Sequence, residues 1–96
     1  MEAAPRPDGL PADVSAYRRT PTFDATTIPA GLLRDHATKA GVWGVIHVLS
    51  GRLSYVSGDP STAIELTPDR SGLVRPEARH SVAPLGHVRF YVEFYR

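Results

Sequence analysis

The chain contains no cysteine. That excludes a disulfide scaffold, a thiolate zinc site and a cysteine nucleophile, and it fits a cytoplasmic address. Charge of one sign is not in excess: Lys and Arg total 11, Asp and Glu total 10. A nucleic-acid partner held by phosphate neutralisation is therefore not expected, nor is an anionic membrane surface. No apolar run approaches the roughly 18 residues that span a bilayer. Met1 to Asp13 lacks the charged and apolar regions of a signal peptide. No segment of ten or more residues carries a clear helical period, and nine prolines and eight glycines work against long helices.

What the sequence does contain is strand pattern. Its 96 residues, 42% of them hydrophobic, suffice for one domain. Residues 1–13, with Pro5, Pro7, Pro11 and Gly9, read as a loose arm, and residues 14–96 as the domain. Val14–Thr20 suits a short edge strand. Thr22–Ile28 suits a turn or a short extended piece. Leu32, Leu33 and His36 fall in a candidate strand. Val42–Leu49 is dense in β-branched and aromatic residues, Ser50-Gly51 reads as a two-residue turn, and Arg52–Ser57 follows with alternation. Gly58-Asp59-Pro60 reads as another turn. Ala63–Thr67, Leu73-Val74 and His80–Val82 are short strands. Val88–Tyr95 alternates strictly, with Val88, Phe90, Val92 and Phe94 on one face and Arg89, Tyr91, Glu93 and Tyr95 on the other. Pro60, Pro68, Pro76 and Pro84 fall at regular intervals and read as turn punctuation. Short strands at that spacing mark an all-β sandwich or barrel.

Four histidines are the candidates for chemistry: His36, His47, His80 and His87. Their separations of 11, 33 and 7 residues include no local chelating spacing, so the fold must assemble any shared site. The proline-led segment Pro76-Glu77-Ala78-Arg79-His80 is suited to aiming a ring inward. His47 sits among Val45, Ile46, Val48 and Leu49, as a half-buried histidine with one hydrogen-bond partner or as a ligand. His87 reads as a solvated loop residue. Glu93 interrupts an aromatic run and needs a partner if buried: a metal, a histidine, or an arginine such as Arg34, Arg75 or Arg89. Trp43 and Tyr91, with Arg34, are candidate pocket wall. No nucleophile elbow and no phosphate-cradling glycine loop is present.

The order of these elements resembles the cupin superfamily. More narrowly, Tyr17-Arg18-Arg19-Thr20-Pro21, Pro29 to His36, Lys39 to Gly44 and Phe90 to Tyr95 resemble a small cupin-like family associated with the tellurite-resistance protein TehB. The resemblance covers residues 14–96. It implies a single-domain β-barrel of the jelly-roll kind, a double-stranded β-helix, that binds a divalent metal and a small-molecule ligand. It also implies a link to tellurite or related stress resistance. Gly51 matches the turn glycine of the family's first motif, His36 falls close to its first histidine, and His80, behind Pro76, matches the histidine of the second. Thr38 stands where a further histidine would be, and the usual carboxylate is missing near Trp43. His47 or Glu93 then completes the expected set with His36 and His80: three protein ligands and water, suited to zinc, iron, nickel, copper or manganese. The other functions to weigh are a metal-dependent dioxygenase, isomerase or lyase, and a metal-free ligand-binding or interaction module. A homodimer is expected from the small core and the Phe-rich last strand.

Overall fold

A computed structural model describes residues 9–34, 37–57 and 63–96. His36, the Gly58-Asp59-Pro60 turn and most of the arm lie outside the described residues. The elements are β1 (Ala16–Arg19), β2 (Phe23–Asp24), a 3-10 turn (Ala30–Leu33), β3 (Trp43–Ser57), β4 (Ile64–Leu66), β5 (Gly72–Val74) and β6 (His80–Tyr95). The all-β class holds.

Two long strands dominate. β3 and β6 pair antiparallel from Trp43↔Tyr95 to Ser57↔His80. The expected Ser50-Gly51 hairpin does not form, because the chain runs straight through it. Gly51 does adopt the left-handed backbone, at φ 78°. It does so inside β3, opposite Val88, between two slips of register at Val48/Ser50 and Gly51/Leu53. These bulges bend the ribbon without ending it. The separate strands expected at His80–Val82 and Val88–Tyr95 are likewise one strand. Pro84 lies within it, opposite Leu53, next to the second slip. A slipped register tolerates the N–H that proline lacks.

β1 and β2 flank β6 through Glu93–Tyr95 and Arg89–Phe90, while β5 and β4 flank β3 through Gly44–Ile46 and Leu53–Tyr55. The sheet order is β1-β6-β3-β4. Its ends do not pair among the described residues, so the sheet is open where a closed barrel was expected. The bend supplies the core that closure would have supplied. Leu66 and Tyr55, on one half of the ribbon, lie against Gly72, whose strand partner Ile46 belongs to the other half. Ile46, Val48, Leu53, Tyr55, Leu66, Val74, Val82, Val88, Phe90 and Val92 thus form one buried cluster. Phe23 meets Phe90 edge to face, with centroids 5.7 Å apart.

Leu32 and Leu33 belong to the 3-10 turn and not to a strand. Pro29 fixes the entry, and its carbonyl accepts the Leu32 N–H at 2.9 Å. Leu32 packs against the core while Leu33 is exposed. The last strand alternates as expected, but its Phe90 and Phe94 turn toward the core. Phe90 is fully buried there, and Phe94 is partly buried against the same cluster.

Candidate functional site

The inward face carries a small cavity. Leu32, Thr38, Ile46, Val74, His80, Val82, Phe90, Val92 and Phe94 line it. Strand alternation explains the set: Ile46 on β3 and Phe90, Val92 and Phe94 on β6 point to one side. The cavity volume is about 20 Å³, room for about one water molecule.

His80 and Thr38 are the buried polar residues here. The Thr38 hydroxyl donates to the Val42 carbonyl at 2.8 Å, with the Arg75 carbonyl at 3.3 Å. His80 Nδ1 lies 3.1 Å from the Ala78 carbonyl oxygen. A carbonyl only accepts, so Nδ1 carries the proton. In the neutral ring the lone pair is then on Nε2. This is how metal-ligating histidines are oriented, with one nitrogen tied to a backbone carbonyl or carboxylate. Pro76 and the sharp turn after it, where Glu77 takes φ 62°, deliver His80 to the start of β6.

His47 and Glu93 are elsewhere. Ile46 and Val92 face the cavity, so their neighbours His47 and Glu93 face outward across the sheet. His47 Nε2 lies 3.4 Å from Glu93 Oε1, beyond good hydrogen-bond geometry, and that nitrogen has no hydrogen-bond partner among the described residues. The His47 ring stacks on Tyr91 at 4.9 Å between centroids. The Tyr95 hydroxyl donates to Glu93 Oε1 at 2.9 Å. Arg19, directly across from Glu93 on β1, lays its guanidinium 3.9 Å over the Tyr91 ring. The arginine beside Glu93 is therefore Arg19, not Arg34, Arg75 or Arg89.

The structure thus separates the expected set. His80 is inside, and His47 and Glu93 are together outside. No group of three metal-ligating side chains occurs among the described residues. Trp43 and Tyr91 sit on the outward face, and Arg34 follows the 3-10 turn, exposed. None of the three lines the cavity. His87 is exposed, with Nε2 3.1 Å from the Ser50 hydroxyl. The cavity walls Leu32 and Phe94 lie outside the expected pocket set. Phe94 was legible in the alternation of β6; Leu32 was hidden by the strand reading of its segment.

A TehB-like domain model matches residues 18–92. The chain belongs to the TehB-like domain family. Two solved structures resemble the domain. TehB of Haemophilus influenzae superposes with TM-score 0.78 at 26% identity over 85% of this chain. This chain spans only 31% of that one. A protein of Escherichia coli strain K12 superposes with TM-score 0.81 at 23% identity, covering 91% of this chain and 94% of that one. That second likeness speaks to the fold alone. No curated protein sequence matches the chain. No helix among the described residues of the TehB-like domain is long and apolar enough to cross a membrane.

Proposed function

We propose that this TehB-like domain binds one divalent transition metal in its inner cavity, with His80 and His36 as protein ligands, and serves in tellurite or a related stress resistance. The observation that carries the reading is His80: a buried ring in an apolar wall, its Nδ1 within hydrogen-bond distance of the Ala78 carbonyl. The cavity size points the same way. About 20 Å³ suits a single ion or water and falls far below the roughly 300–1,000 Å³ of drug-sized sites. His36 precedes the cavity residue Thr38 by two positions in the chain. The role in resistance rests on the family resemblance.

A bound metal would supply Lewis acidity and an activated water. The chain's own contribution is placement. The Ala78 carbonyl fixes the ring, while Ile46, Val74, Val82 and Phe90 keep bulk water from it.

The test is elemental analysis of protein purified without chelator, beside His36→Ala, His80→Ala and His47→Ala. The reading expects one metal per chain in the wild type and in His47→Ala, and loss in the other two with folded circular dichroism spectra. No metal after loading with zinc, iron and nickel would refute it and favour the metal-free binding module. Turnover lost in the same two variants would extend it to an enzyme.

A further inference from the structure

The inner cavity is too small for an organic ligand, but two surface grooves are not. One, of about 400 Å³, is lined by Arg18, Arg19, Thr20, Pro21, Phe23, Pro29, Gly31, Leu32 and Phe94. A second, of about 190 Å³, adds Tyr17, Thr38, Lys39 and Val42. Arg18 and Phe94 line both. Phe94 also lines the inner cavity, so one side chain borders all three spaces.

The lining combines two chemistries. Phe23, Leu32, Phe94 and the prolines give apolar walls. Arg18 gives positive charge and makes no ion pair among the described residues, and Lys39 adds a second cation in the neighbouring, smaller groove. Arg19 is different, since its guanidinium is engaged over Tyr91. No carboxylate is among the described lining residues of either groove. In a chain whose formal charge is only +1, that is a local excess of cations. A guanidinium beside an apolar wall favours a carboxylate or similar planar oxyanion on a hydrophobic body.

We propose that the groove of about 400 Å³ is a second binding site, for a small organic anion whose charged head pairs with Arg18 and whose apolar body lies on Phe23, Leu32 and Phe94. The site does not require a metal at His80. It shares the walls Leu32 and Phe94 with the inner cavity.

The probe is 1-naphthoate, compared with its neutral counterpart 1-naphthalenemethanol and with inorganic sulfate, by amide chemical shifts of ¹⁵N-labelled protein at low salt. Naphthoate is expected to saturate with the largest shifts at Arg18, Leu32 and Phe94. The neutral alcohol is expected to bind at least about fivefold more weakly. Arg18→Gln should weaken naphthoate by about two- to fivefold, while Arg70→Gln, away from the groove, should not. Equal binding of the alcohol would reduce the groove to a greasy surface and overturn the proposal. Sulfate producing the same shifts, or shifts spread over all arginines, would reduce it to unspecific charge attraction and overturn it too. No saturation by about 10 mM would also overturn it.

Discussion

One oxygen of Glu93 serves two neighbours: Oε1 accepts the Tyr95 hydroxyl at 2.9 Å and faces His47 Nε2 at 3.4 Å. This pair sits on the face of the sheet opposite His80. The hydrogen bond lies within β6, and the longer approach to His47 faces β3 across the pairing at Val45↔Glu93 and His47↔Tyr91. Glu93→Ala removes the acceptor and is expected to lower stability by about 1–2 kcal/mol in urea unfolding. Metal content and the shifts of His80 should not change. Loss of metal in Glu93→Ala would move the site to the outer face.

Tyr55 is the buried polar anchor of the bend. Its hydroxyl donates to the Leu73 carbonyl at 2.7 Å, joining β3 to β5. Tyr55→Phe leaves that carbonyl without its donor and is expected to cost about 1–2 kcal/mol at neutral pH. Burial pushes the Tyr55 phenol above its ordinary value of 10.0, with Ser57 and Arg75 opposing. The unfolded phenol therefore ionises first. The contribution of Tyr55 is complete below about pH 10 and fades as pH rises through the folded value. The stability gap between wild type and Tyr55→Phe should accordingly narrow above pH 10. A gap that widens there would contradict the assignment.

Gly51 holds the bulge on which the bend depends. At φ 78° a side chain is strained, and a Cβ built there overlaps the backbone carbonyl of His87. Gly86 takes nearly the same φ, 80°, with open space around it. Gly51→Ala is expected to cost at least about 3 kcal/mol, enough to unfold much of a small domain, and Gly86→Ala about 1 kcal/mol. Thermal melts of the two variants check the order. Equal losses would mean that backbone strain, and not the close approach of β6, governs Gly51.

Much of the fold was legible in the sequence. The alternation of Val88, Phe90, Val92 and Phe94 named the buried face of β6, β1 and β4 fall within their expected segments, and β5 starts one residue ahead of the expected Leu73-Val74. The hairpin at Ser50-Gly51 was not legible, because a glycine at positive φ serves a turn and a bulge equally. Pro84 misled for a related reason: its missing N–H ends a regular strand but fits a slipped register. The site was half legible. Pro76 ahead of His80 correctly suggested an inward ring. The grouping of His47 with His80 failed on face. His47 does share a face with Trp43, four residues earlier, but that face is the outer one. Spacing fixes which residues point together and not which side is inside; that depended on where β5 and the bend placed Val74 and Leu53.

The central claim is that His80, and not His47, receives the metal. Two-bond ¹H–¹⁵N spectra of the histidine rings test it most directly. The account predicts that His80 shows its proton on Nδ1, and that one equivalent of zinc moves the His80 and His36 ring nitrogens while those of His47 stay in place. An unmoved His80 ring, or a His47 ring that moves instead, would contradict it.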